Sequence, residues 1–223
     1  MALILNIDTA TEEAGICLAA DGAVVAMAVN PEQRDHAAWL HTAIEKTLRD
    51  AGARINDLHA VAVTAGPGSY TGLRVGMAAA KGFCYALNIP LITENKLKVM
   101  AMTARDQASP EGLLCPMIDA RRMEVFTAVY RNDLEELLPT SAMVIDELSF
   151  SSILATDQVS FFGGGSYKCK PIITAPSAAF IEINYHPRYL GILSFLRYLQ
   201  QEFTGLAYSE PAYTKEFHSH KGK

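Results

Sequence analysis

Two aspartates, Asp8 and Asp119, each end an apolar segment that is typical of a buried strand. Carboxylates that face each other across a cleft can hold Mg²⁺ and a nucleotide, provided that the turns after them let phosphates approach. Turns that wrap phosphates favour glycine, yet glycine is absent from residues 9–11 and from residues 120–122. We therefore expect both carboxylates to be structural or vestigial, with a small ATP-dependent kinase or ATPase as the alternative.

Other reactive side chains are poorly placed for metal binding or nucleophilic catalysis. On a helix, His36 and His41 would lie about 140° apart, so they cannot bind one ion together. Ser69 and Cys84 are candidate nucleophiles, but no histidine has a reason to lie beside either. The glycine triplet at 163–165 could approach a purine or ribose, although a tight turn is its more frequent role. The sequence thus predicts neither a metal site nor a catalytic residue.

A glycine-rich segment, residues 66–76, follows an apolar stretch at 59–64 and leads into a proline-free stretch at 71–87. This pattern predicts a strand, a loop and a helix. The loop could present backbone N–H groups to a phosphate, or it could let the strand turn sharply into a closely packed helix. The spacing favours packing, and the segment matches neither a P-loop nor the G-x-G-x-x-G pattern.

Small residues recur every four positions along the helix predicted at 71–87. Gly72, Gly76 and Ala80 leave one face nearly bare of side chains, so another backbone can approach it closely. That face could pack on the chain's own sheet or could dock a partner helix. The sequence leaves these two possibilities open.

The composition is that of an ordinary globular protein, since the 223 residues are 50% hydrophobic. A net charge of −5 argues against a direct grip on a nucleic-acid backbone, so a partner would have to supply positive charge. The four cysteines are scattered without metal-ligand spacing and are expected to be reduced. Neither a signal peptide nor a membrane-spanning stretch is predicted, so we expect a cytoplasmic protein without a bound cofactor.

The order of predicted elements starts again after a turn-rich break at 109–112. We predict strands at 2–7, 14–19, 23–29, 59–64, 90–93, 113–119, 123–130, 159–162 and 172–173. We predict helices at 35–50, 71–87, 97–106 and 188–203. The chain is therefore expected to form two α/β lobes, 1–108 and a degenerate second lobe at 109–223, with a disordered tail from about 217.

Four segments in this order, 8–11, 66–82, 119–126 and 211–215, resemble the bacterial TsaB (YeaZ) family over nearly the whole chain. The resemblance implies a two-lobed actin-like ATPase (sugar kinase/Hsp70/actin, ribonuclease H-like) fold. It also implies a role in making threonylcarbamoyladenosine, the tRNA modification beside the anticodon. This chain departs from the family at Tyr70, where phenylalanine is common, and the match is loose between 134 and 177.

The resemblance further implies a non-catalytic subunit that binds and activates the related enzyme TsaD. TsaD carries a metal-binding histidine pair where residues 93–98 here offer no ligand pair. The implied partners are TsaD, TsaE through the complex, and a second copy when alone, whereas tRNA is contacted only indirectly. The implied interface comprises His36, Trp39, Leu40, Gly72, Leu73, Gly76, Met77 and Ala80. A peptidase and a homodimeric scaffold unrelated to tRNA remain further alternatives.

Overall fold

The computed structural model describes residues 1–31 and 36–214, which form two five-stranded sheets with helices around them. The first sheet contains β1 (Leu3–Asp8), β2 (Ala14–Ala20), β3 (Ala23–Asn30), β4 (Ala60–Gly66) and β5 (Leu91–Asn95). The second contains β6 (Leu113–Asp119), β7 (Glu124–Tyr130), β8 (Glu136–Val144), β9 (Val159–Phe162) and β10 (Ala178–Phe180). The helices are α1 (His36–Asp50), α2 (Tyr70–Leu87), α3 (Lys96–Ala108), α4 (Ser151–Leu154), α5 (Ser166–Cys169) and α6 (Arg188–Leu199). In these ranges, no helix combines the length and the apolar character needed to cross a membrane.

The two sheets have the same topology. The strand order is β3-β2-β1-β4-β5 in the first sheet and β8-β7-β6-β9-β10, read in the matching direction, in the second. In each, the central strand pairs antiparallel with the next strand of a meander and parallel with a later strand. Asp8 and Asp119 therefore end equivalent strands, as the sequence predicts.

Helices α1 and α2 cover one face of the first sheet. On α1, Leu40, Ile44 and Leu48 recur every four residues and are buried against the strands. Helix α2 adds Met77 and Ala80 to the same core. The predicted helix from 35 to 50 is confirmed from residue 36 onward, since residue 35 lies outside the described residues.

Helix α6 covers the opposite face of the first sheet, although it follows the second sheet in sequence. Phe195 and Tyr198 pack on the β1–β4–β5 side of the sheet, and the hydroxyl of Ser194 donates a hydrogen bond to the amide oxygen of Asn6. The guanidinium of Arg197 meets the buried Glu94 carboxylate, with an Nε–Oε2 distance of 2.8 Å. The boundary proposed at 108/109 falls between α3 and β6. Helix α6 lies after this boundary in sequence but packs on the first sheet.

The second half differs from the sequence prediction at two places. Strand β8 was not predicted, because none of its residues is fully buried, the burial pattern lacks a clear alternation and Pro139 interrupts it. The strand predicted at 172–173 is wrong, because Ile173 is a buried loop residue. The last strand in the described residues is β10 instead. The tail predicted to be disordered from 217 lies outside the described residues.

Candidate functional site

Asp8 lies at the carboxyl end of β1 and is completely enclosed by the protein. The ammonium of Lys96 contacts its carboxylate with an Nζ–Oδ2 distance of 2.6 Å, and both side chains are at most 2% exposed. The hydroxyl of Thr64 donates to Oδ1 over 2.8 Å. Since β1, β4 and β5 run parallel, their carboxyl ends bring these three residues to one edge of the sheet.

Tyr185, from the segment between β10 and α6, closes the space above this ion pair. Its ring centroid lies 4.4 Å from the Lys96 ammonium, which is a favourable cation–π distance. Burial, together with the neighbouring Asp8 carboxylate, raises the pKa of Tyr185 well above its usual value. The hydroxyl also lies against Gly15, where any side chain would collide with it. The Asp8 carboxylate is therefore neutralised by Lys96 and shielded from solvent by Tyr185, both from the same chain.

Sequence reasoning missed both Lys96 and Tyr185. Lys96 immediately follows β5, which runs parallel to β1, the strand that ends at Asp8. Its position directly after a parallel strand was the sequence feature that could have placed it near Asp8. A lysine that opens a helix is ordinarily a solvent-exposed residue, so its type alone gave no warning. Nothing near Tyr185 in the sequence marks it as a residue that would reach the first sheet.

Asp119 is exposed, with 56% of its side chain accessible, and it pairs with a different lysine. The Lys168 ammonium contacts its carboxylate and also donates to the backbone carbonyl oxygens of Arg122 and Glu124, at 2.8 and 2.7 Å. Burial acts to raise the pKa of Asp119, but Lys168 and the Arg121 amide outweigh it, so that the pKa is lowered. These contacts stabilise a turn in which Arg121 and Arg122 both have positive φ, a conformation that favours glycine.

The glycine-rich loop packs tightly against the turn after β1. The amide of Ser69 donates to the carbonyl oxygen of Ala10 over 2.7 Å, and the Ser69 hydroxyl accepts from the Gly72 amide over 3.3 Å. Ser69 is thus the N-cap of α2. Because these amides are already paired, the structure supports the packing interpretation of the loop over the phosphate-binding one.

The C-terminal segment, residues 204–214, crosses from β5 to this loop. The Lys81 ammonium donates to the carbonyl oxygen of Ser209 over 2.9 Å, and the Ala212 amide donates to that of Ala65 over 2.7 Å. At its end, the Tyr213 hydroxyl accepts from Arg74 Nε over 2.9 Å. The Arg74 guanidinium also lies 4.0 Å from the ring centroid of Tyr70. The segment therefore fixes an arginine and two tyrosines beside the first turn of α2.

The predicted interface residues all lie on α1 and α2, but most of them face inward. Trp39 is partly exposed, whereas the other seven are buried in the chain's own core: His36, Leu40, Gly72, Leu73, Gly76, Met77 and Ala80. Gly76 lies against Thr9 and Val63. In this chain the narrow surface of the small-residue stripe serves close packing of α2 on the first sheet, and a docking role for these residues stays a prediction.

The outward face of α2 carries a second row of residues four apart. Arg74, Ala78, Gly82 and Ala86 are exposed, and a Cβ atom at Gly82 would meet nothing within 4 Å. Residues two positions apart on a helix differ by about 200°, so this row lies opposite the buried one. Tyr85, 83% exposed, stands beside it.

Helix α1 continues this surface. His41 is exposed and lies 6.1 Å from the ring of Phe83 on α2, whereas His36 is buried, with Nε2 3.1 Å from the carbonyl oxygen of Thr11. The two histidines face different ways, as predicted. Ala37 and Ala38 are exposed at the start of α1. Together, the neighbouring outward faces of α1 and α2 form the helical surface, which comprises Ala37, Ala38, His41, Arg74, Ala78, Gly82, Tyr85 and Ala86.

The thiol of Cys84 is unsuited to nucleophilic attack. It is buried in the first core, and burial raises its pKa to about 11; burial likewise raises the pKa values of Cys17 and Cys115 to about 12. We expect the native chain to react with iodoacetamide at pH 8 at least about 100-fold more slowly than the urea-unfolded chain, since the thiolate is the nucleophile. Mass spectrometry of both samples measures this, and rapid labelling of native Cys84 would contradict it.

Comparisons with known proteins agree with this architecture. A family model described as TsaD, tRNA N6-adenosine threonylcarbamoyltransferase, matches residues 24–192. The protein TsaB of Bacillus subtilis, named for tRNA threonylcarbamoyladenosine biosynthesis, is 32% identical over 145 residues, which are 64% of this chain and 62% of that protein. TsaB of Escherichia coli is 36% identical over 131 residues, 58% of this chain and 55% of that protein. The chain belongs to the TsaD family, in its TsaB (YeaZ) group.

The alignments span about three fifths of the length of these TsaB proteins. A crystal structure of a Pseudomonas aeruginosa protein with similarity to peptidase YeaZ has a TM-score of 0.85 at 22% identity. It covers 96% of this chain and 100% of that one. The two-lobed actin-like fold implied by the TsaB resemblance is thereby confirmed.

Proposed function

We propose that this chain is a non-catalytic subunit in the biosynthesis of threonylcarbamoyladenosine in tRNA, and that it binds and activates TsaD in the cytoplasm. The observation that carries the proposal is the closed environment of Asp8. In a nucleotide-dependent relative, a carboxylate here would face Mg²⁺ and phosphates. In this chain Lys96 and Tyr185 take up that space, and Asp119 is occupied by Lys168. The cleft is then a vestige, and membership of the TsaB group supports an accessory role.

The helical surface is the part of the chain that we propose docks on TsaD. Small residues at Ala78 and Gly82 allow a partner helix to approach closely. Tyr85 and the Arg74–Tyr213 pair supply the aromatic and arginine side chains that often dominate binding energy. When TsaD is absent, the same surface would pair two copies of this chain, while TsaE and tRNA join through the complex.

The test is to replace Ala78 by arginine and to measure binding to the cognate TsaD by calorimetry. The bulky charge should weaken binding at least about 30-fold, because it blocks close approach at the centre of the surface. The matched control is Ala108→Arg, another exposed helical alanine, at the end of α3. Threonylcarbamoyl transfer to tRNA by TsaD and TsaE should fall in parallel with binding.

Three outcomes would contradict the proposal. Equal binding by Ala78→Arg and Ala108→Arg would place the interface elsewhere. Transfer that proceeds equally well without this chain would remove its role as activator. Magnesium-dependent ATP turnover by the isolated chain, lost on Asp119→Asn, would instead support the ATPase alternative.

A further inference from the structure

The C-terminal segment, residues 204–214, is held mainly by hydrogen bonds. Within these residues, all of which the structure describes, Pro211 is the one buried residue. Leu206 packs against the first core, whereas Tyr208 is 96% exposed. Segments with few buried apolar contacts open locally at a low free energy. The position of the segment therefore depends on the few groups that bind it.

Lys81, half-buried near the end of α2, makes the central attachment. Its ammonium donates to two backbone carbonyl oxygens of the segment, that of Ser209 over 2.9 Å and that of Ala207 over 3.3 Å. Hydrogen bonds from a charged donor are stronger than those between neutral groups. Further along, the Ala212 amide donates to the carbonyl oxygen of Ala65 over 2.7 Å. One lysine side chain thus fixes the course of the segment before it reaches the glycine-rich loop.

The far end of the segment meets the first turns of α2. The Tyr213 hydroxyl accepts from Arg74 Nε over 2.9 Å, and the Tyr213 ring lies 5.2 Å from the ring of Tyr70. Arg74 follows Tyr70 by four residues and precedes Lys81 by seven, so the three side chains lie on one side of the helix. The segment therefore runs along this side of α2, antiparallel to the helix.

We infer that Lys81 is a positioning residue for the helical surface. It fastens the C-terminal segment along α2, and Tyr213 of that segment then holds the exposed Arg74 in the orientation used for docking. This inference rests on the proposed docking of the helical surface on TsaD. An arginine side chain has many rotamers, and ordering it before binding reduces the entropy lost when the complex forms. Because the Lys81 ammonium binds the segment, it acts through Arg74 and not on the partner.

The first measurement is amide hydrogen exchange of the full chain alone, followed by NMR. Lys81→Met should speed exchange of the Ala212 amide at least about tenfold, because hydrogen bonds from a charged group hold the segment closed. Lys81→Arg keeps charged donors and should exchange like the unsubstituted chain. The matched control is Lys170→Met, a change of an exposed lysine directly after α5.

The second measurement is calorimetry of the same variants with TsaD. Lys81→Met should weaken binding about fivefold, whereas Lys81→Arg and Lys170→Met should not. In a Tyr213→Ala chain, Lys81→Met should weaken binding no further, because the link from the segment to Arg74 is already broken. A direct contact between Lys81 and TsaD would instead give losses that add.

The inference is overturned if Lys81→Met leaves exchange of the Ala212 amide unchanged, or if exchange is faster while binding to TsaD stays the same. Additive losses also overturn it, and so does tighter binding by Lys81→Met, since the segment would then obstruct the partner. A lack of TsaD binding by the unsubstituted chain would overturn the proposed function, and the docking role of Lys81 with it. The exchange measurement uses the chain alone, so it would still decide whether Lys81 fastens the segment.

Discussion

Replacing Lys96 by methionine is expected to lower the free energy of unfolding by about 3–5 kcal/mol, because it leaves a buried carboxylate without its counter-charge. Asp8 and Lys96 are both almost fully enclosed, so water cannot compensate for the lost partner. Asp8→Asn should also destabilise, since it leaves a buried ammonium, although the asparagine can still accept from Thr64. Urea unfolding followed by circular dichroism measures both changes.

The double variant Asp8→Asn/Lys96→Met should lose much less stability than the sum of the two single changes, because it buries no charge. Lys46→Met provides the surface control: Lys46 pairs with Asp50, but both side chains are more than half exposed, so the change should cost under about 1 kcal/mol. If Lys96→Met behaved like this control, the Asp8–Lys96 pair would not be the enclosed ion pair described above.

The same double variant distinguishes a vestigial Asp8 cleft from one that takes part in threonylcarbamoyl transfer. A folded Asp8→Asn/Lys96→Met chain that still activates TsaD would mean that the Asp8 carboxylate takes no part in transfer. A folded double variant that binds TsaD normally but does not activate it would give the cleft a function that the accessory role does not include. Binding and transfer must therefore be measured on the same preparation.

Sequence reasoning located the aspartates correctly but not the groups that neutralise them. Asp8 and Asp119 end apolar strands, and the repeat of the element order made their equivalence visible. Lys96 and Lys168 reach them from elements distant in sequence, so only the register of the parallel strands and the folded second half bring them close. Local periodicity carries no information about such long-range pairs.

The sequence also did not predict which face of α2 is buried. The helix itself followed directly from its composition and from the residues that flank it. Small residues occur on two opposite faces, at Gly72–Gly76–Ala80 and at Ala78–Gly82–Ala86, and spacing alone does not say which is buried. The buried row is the one that meets the turn after β1, a tertiary contact that the helix sequence does not encode.

Two glycine-to-alanine changes on α2 should therefore have opposite effects. At Gly72 a Cβ atom would collide with the backbone carbonyl oxygen of Thr9, and the Thr9 hydroxyl is itself held by donating to the Gly72 carbonyl oxygen over 2.7 Å. Because neither group can move away cheaply, Gly72→Ala should lower the free energy of unfolding by about 2–3 kcal/mol. At Gly82 the space is open, so Gly82→Ala should raise it by about 0.5–1 kcal/mol through helix propensity.

The two variants share one chemical change in one helix, so their effects on the unfolded chain are similar and the difference reports the folded environment. Urea unfolding of both measures that difference, and an equal shift in the same direction would mean that α2 does not present these faces as described. Calorimetry with TsaD then adds a second comparison. Gly82→Ala should raise stability yet weaken docking, because even one methyl group widens the closest approach to a partner helix. A stable Gly82→Ala chain with unchanged affinity would move the centre of the interface away from Gly82, towards Tyr85 or α1.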